Sequence, residues 1–158
     1  MARLHEQLTT DLDPPTAFDF VADFANASRW DPGVAWSERL GEATELAVGA
    51  RYRLGVRMAG RVAPMEYRVV ELVPDRRVVL AGDGSGVTAV DEIDFHATGS
   101  GTLIDYRADI RLRGWLRLVE PFAGHAFARI ARDARNGMQR TLDELARAQT
   151  HAEKAATA

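Results

Sequence analysis

The chain has 158 residues and a mass of 17.4 kDa, 46% hydrophobic and 27% charged, which fits one folded domain and excludes wholesale disorder. Its net charge of −3 and pI near 5.8 argue against an electrostatic nucleic-acid binder. With no cysteine, disulfides, thiolate metal sites and cysteine nucleophiles are excluded.

The leucines at 4, 8 and 12 suit a helix or a strand face, and Thr9-Thr10 together with the helix start that follows favour a strand. Asp13-Pro14-Pro15 is that start: Asp caps, and proline in the first turn loses no hydrogen bond. Phe18, Val21, Ala22 and Ala25 share a helical face that fades near Ser28, and Trp30-Asp31-Pro32-Gly33 reads as a turn. Period-2 patterning then runs from Val34 to Leu112. Val34, Trp36, Glu38 and Leu40 fall on one face, and Tyr52, Leu54, Val56 and Met58 form the clearest alternation. Strands follow at 65–73 and 78–80, separated by Pro74-Asp75, and Gly82-x-Gly84-x-Gly86 closes the second as a loop. A last hairpin places Val87, Ala89, Asp91, Ile93 and Phe95 on one face, then Ile104, Tyr106, Ala108, Ile110 and Leu112. After Gly114 the period changes to 3.6, predicting a helix from about Phe122 to Ala148 that opens at Pro121. Its apolar face carries Ala123, Phe127, Ile130, Ala131, Ala134, Met138, Leu142 and Leu145, while residues 149–158 are expected to fray.

This order predicts an α+β domain over residues 1–148. About seven antiparallel strands curve around one long C-terminal helix, with two short helices after the first strand. A twisted sheet closed at one end and open at the other leaves an elongated apolar pocket against the helix.

The chain resembles the START-like (SRPBCC) superfamily with the helix-grip fold, and within it the polyketide cyclase/dehydrase group. The resemblance is carried by Pro15, Phe18 and Asp23-Phe24, the Trp30-Asp31-Pro32 turn, Gly49 with Tyr52, and Val69 to Pro74 with Arg76-Arg77. Gly101-Thr102 and Gly114 complete it. It implies a cavity for a hydrophobic or aromatic small molecule, catalytic in some members, and no shared catalytic residue.

Alternation turns Asp91 toward the cavity, where desolvation raises a carboxyl's pKa and fits it for general acid or base work. The plainer account is a strand-end carboxylate reaching water or a basic partner. Tyr106 is the second candidate for proton transfer, or else a core aromatic. The expected lining is Trp30, Trp36, Tyr52, Leu54, Met58, Met65, Tyr67, Ile93, Tyr106, Phe127, Ile130 and Met138. Glu38 is read as a solvated carboxylate at the mouth. His5, His96, His125 and His151 make no ligand spacing, so no metal or other cofactor is expected. Three functions remain open: binding of a lipid- or polyketide-like small molecule, aromatase/cyclase or dehydratase chemistry through Asp91 and Tyr106, and partner recruitment by a domain with a vestigial cavity. No apolar run is long enough to span a bilayer and the first residues carry no signal core, so the expected setting is the cytoplasm, as monomer or homodimer, without nucleic acid.

Overall fold

A computed structural model describes residues 1–42, 45–58, 60–118 and 124–157. Strand β1 (Ala2–Thr10) leads into helix α1 (Pro14–Ala22), a 3-10 turn (Phe24–Asn26) and the short helix α2 (Ala27–Trp30). Six strands follow: β2 (Val34–Leu40), β3 (Arg51–Met58), β4 (Arg61–Val73), β5 (Arg77–Gly84), β6 (Val87–Ala97) and β7 (Thr102–Leu112). A 3-10 turn (Gly114–Leu118) precedes helix α3 (Gly124–Ala156). The strands form one antiparallel sheet in the order β1-β7-β6-β5-β4-β3-β2. The α+β helix-grip architecture follows from these elements.

Asp13 caps α1 by accepting the Thr16 N–H at 3.1 Å, as the Asp-Pro-Pro run predicts. The apolar face of α1 packs on β6, with Phe18 edge-on to Phe95 at 5.2 Å between ring centroids. On the outer face of the sheet the Arg77 guanidinium holds Glu71, Glu92 and Asp94 at 2.8–2.9 Å, a solvated network on the side away from the core.

Several boundaries differ from the sequence reading, each for a physical reason. The register on β2 slips between Val34 and Trp36, so Ala35 bulges and the alternation inverts. Trp36 and Glu38 therefore face outward, and Ser37 and Arg39 turn in. Trp36 is 41% exposed and its indole lies where a Cβ on Gly55 would sit. Strand β5 is longer than 78–80 and takes in Gly82 and Gly84. A Cβ at Gly82 would stand 2.6 Å from the Tyr67 ring and 2.7 Å from Met65 Cε, so the missing side chain makes room for both. The expected opening of the last helix at Pro121–Ala123 lies outside the described residues. At its other end α3 runs past Ala148 to Ala156, through residues expected to fray. Apart from Thr150 and His151, this stretch is alanine, glutamate, lysine and glutamine, all good helix formers, and Gln149 bonds Glu153 one turn on.

Helix α3 lies against β1 and α2. The helix comes close at Gly137, where a Cβ would run into the carbonyl oxygen of Trp30 and come within 2.9 Å of Pro32 Cδ. Four residues later the Thr141 hydroxyl donates to the Arg29 carbonyl at 3.0 Å. This joint divides the helix. Beyond it Met138 and Leu142 are almost fully buried, whereas Ile130, about two turns earlier on the same apolar face, is 44% exposed. The first half of α3 thus roofs the sheet without filling the space beneath.

Candidate functional site

That space is a cavity of about 150 Å³. Its floor is the inward face of the sheet: Leu54 of β3, Tyr67 of β4, Asp91 of β6, and Tyr106 and Ile110 of β7. Its roof is Trp30 and Asp31 at the end of α2, with Ile130, Ala134 and Met138 of α3. At the β1 side Glu6 and Arg135 lie 3.7 Å apart, half-buried, and Arg135 Nε also donates to the Gln7 carbonyl at 3.0 Å.

Asp91 sits deep in this lining, only 5% exposed. The Tyr106 hydroxyl donates to its Oδ1 at 2.9 Å, whereas its Oδ2 has no hydrogen-bond partner. Tyr67 stands near enough to favour the charged form but does not complete a hydrogen bond to Oδ2. Burial pushes the Asp91 carboxyl up to about 7, against the pull of the two phenols and helped by the charge of Asp31. Asp31 is itself raised to about 6, chiefly by burial, although the Gly33 N–H donates to its Oδ1 at 2.7 Å. The Tyr67 and Tyr106 hydroxyls are pushed well above the ordinary phenol range by burial and by the Asp91 charge, so they remain donors. The indole N–H of Trp30 is buried and unpartnered.

Of the residues expected from sequence, Asp91, Tyr106, Trp30, Leu54, Tyr67, Ile130 and Met138 line the cavity. The other expected residues lie off it. Trp36 is turned outward by the β2 bulge, and Glu38 beside it faces solvent rather than the mouth. Tyr52 is fully buried between the Phe24 ring and the Arg39 guanidinium, 5.3 Å above its ring, where Arg39 pairs with Asp23 at 3.0 Å. Met65 packs beside Gly82 and Gly84. Ile93 is one inward step past Asp91, sealed in the core, while Met58 and Phe127 are half-buried at its edge. Sequence reasoning missed Asp31, Glu6 and Arg135. Asp31 reads as a turn residue, and it is one, but α3 crossing at Gly137 closes over that turn and leaves Asp31 half-buried. Among the described residues no group of three or more His, Asp or Glu could hold a metal, and no helix is long and apolar enough to cross a membrane.

The model of one family, described as polyketide cyclase / dehydrase and lipid transport, matches residues 1–149. The chain belongs to this family. Similar solved structures include the Zhui aromatase/cyclase from Streptomyces sp. R1128, with a TM-score of 0.73 at 15% identity, covering 94% of this chain and 95% of that one. A START superfamily protein from Mycobacterium smegmatis has a TM-score of 0.72 at 14% identity, covering 90% and 98%. A protein from Thermus thermophilus has a TM-score of 0.71 at 11% identity, covering 89% and 97%. At these identities the likeness is one of fold. No curated protein matches the chain by sequence.

The two raised acids contribute to the pH dependence of folding above the range where the lowered Asp13 and Asp105 titrate. Asp91 and Asp31 bind protons more tightly folded than unfolded, so their stabilising contribution is full below about pH 3.8 and is lost as pH rises through about 6 to 7. For Asp91 alone the shift to about 7 corresponds to roughly 4 kcal/mol at most. The ligand-free protein should therefore melt at a higher temperature at pH 5 than at pH 8, and Asp91→Asn should flatten that slope in calorimetry. An equal slope in the variant would remove Asp91 as its source.

Proposed function

We propose that the protein binds a compact, mostly apolar small molecule of about one ring, and that Asp91 and Tyr106 fix its polar head. The observation that carries this is Asp91 Oδ2, buried in a cavity wall without a partner. Leaving such an atom unsatisfied costs about 1–3 kcal/mol or more for a charged group, a cost that a ligand donor removes. Volume supports the size. An apolar cavity of about 150 Å³ in another protein takes benzene, whereas drug-sized ligands occupy roughly 300–1,000 Å³. A folded poly-β-keto chain or a long acyl chain needs the larger space, so this cavity favours a single ring over the substrate of an aromatase/cyclase. An unfilled, polar-tipped cavity also favours ligand binding over recruitment of a partner by an outer face.

One observation favours a catalytic role for the same groups. A carboxyl with a pKa of about 7, hydrogen-bonded to a phenol in a buried site, is matched to general acid–base work at neutral pH. Proton transfer next to a ligand carbonyl, as in a dehydration or ring closure, is the chemistry this pair suits. If it occurs, added small cyclic ketones should exchange α-protons into deuterated water with a rate that rises through about pH 7 and disappears in Asp91→Asn. Exchange equal to buffer leaves a binder only.

The binding reading is tested by filling the space. Ala134→Leu projects a larger side chain from α3 into the cavity, and it should abolish binding of single-ring ligands in calorimetric titration while the melting temperature stays within a few degrees. Undiminished binding would place the ligand elsewhere.

A further inference from the structure

The cavity walls carry an excess of negative charge, Glu6, Asp31 and Asp91 against Arg135. Asp31 and Asp91 both line it, and among the described residues Arg135 is the only cationic side chain that does. Arg135 is already engaged at the β1 side, with Glu6 and the Gln7 carbonyl. Among the described lining residues no other basic group remains for the two aspartates. Their hydrogen bonds come from neutral donors, the Gly33 N–H and the Tyr106 hydroxyl, and Asp91 Oδ2, on a side chain 5% exposed, has none.

Around these carboxyls stand aromatic rings in edge-to-face contact. Trp30 and Tyr106 lie 6.1 Å apart between centroids, Phe24 and Trp30 6.1 Å, and Phe24 and Tyr67 5.2 Å. Aromatic faces attract cations, indole most strongly, and the attraction grows when the site is dry. An uncompensated pair of carboxyls inside an aromatic enclosure is complementary to a positive charge.

We infer that the head group the cavity takes is a protonated amine on a compact apolar body, held by Asp91 and Asp31 against the rings of Trp30 and Tyr106. The inference rests on the binding reading above and specifies its ligand class. An ammonium brings three donors and no acceptor, so it satisfies Asp91 Oδ2 and offsets both acids at once. A carboxylate or phosphate head would meet like charge, and the lining cation Arg135 is already engaged by Glu6 and the Gln7 carbonyl. A neutral alcohol would satisfy Oδ2 and leave the charge uncompensated. The unpartnered Trp30 N–H does not oppose a cation as a fixed positive charge would. It is left for an acceptor elsewhere on the ligand, or for water.

The test uses three probes with one ring and one carbon between ring and head: benzylamine, benzyl alcohol and benzoate (its carboxyl carbon filling that place). They are titrated calorimetrically into the protein at pH 8, where Asp91 is ionised. Benzylamine should bind at least about tenfold more tightly than benzyl alcohol, with benzoate weakest, as expected for charge-assisted bonds in a desolvated site. Asp91→Asn should cost benzylamine about tenfold and benzyl alcohol much less, and Asp31→Asn should act in the same direction more weakly. Circular dichroism and melting confirm that each variant is folded, and if Asp91→Asn is not, the wild-type ranking together with Asp31→Asn decides. Benzyl alcohol or benzoate binding as well as benzylamine overturns the cationic head and leaves the binding reading standing. An amine preference that survives both substitutions overturns the assignment to these acids. If none of the three binds, the binding reading and the inference fall together.

Discussion

A carboxyl held away from water is the constraint on which this molecule turns. Asp91 lies on the inward face of β6 because strand alternation puts it there, and an ion in that position is expensive unless something meets it. The fold meets it only partly. Tyr106 donates to one oxygen, Tyr67 stands by without completing a bond, and the other oxygen is left open. A core under selection for stability alone would place an apolar residue here, since a well-packed hydrophobic replacement for a buried polar group is often neutral or stabilising. The open oxygen next to empty space is the feature that turns a packing problem into a binding site.

The empty space has its own cause. Helix α3 cannot lie flat on the sheet along its whole length, because at Gly137 it comes down onto the backbone of α2 and beyond that joint its side chains fill the core. Before the joint its small residues, Ala131 and Ala134, are too short to reach the floor. The same crossing covers the Trp30-Asp31 turn and so partly buries the second acid. Gly82 acts on the floor in a similar way, letting Tyr67 lie across β5. Two glycines, neither in a left-handed conformation, thus set the height of the roof and the position of one wall.

Much of this was legible from the chain and some was not. Period-2 alternation over 87–95 and 104–112 is local information, so Asp91 and Tyr106 could be placed facing inward, and the change of period after Gly114 marked the long helix. Trp36 was not legible. A one-residue bulge inverts every side chain after it, and no turn residue announces the bulge at Ala35. Gly82-x-Gly84-x-Gly86 looked like a loop because glycine is depleted in strands, and only the partner strand reveals what the glycine is for. Asp31 was hidden for a third reason. Its local role as a turn residue is correct, and its burial depends on a helix more than a hundred positions away. Contacts of that range leave no periodic trace.

The most direct measurement is the ionisation of Asp91 itself, followed by the carbon-13 shift of its side-chain carboxyl in the ligand-free protein. A midpoint near pH 7, moving downward when Tyr106 is kept and the site is flooded with benzylamine, is what a desolvated, ligand-seeking carboxyl gives. A midpoint near 4, unmoved by any ligand, would mean that water already reaches the carboxylate, and the account of a buried carboxyl open to a polar head would be wrong.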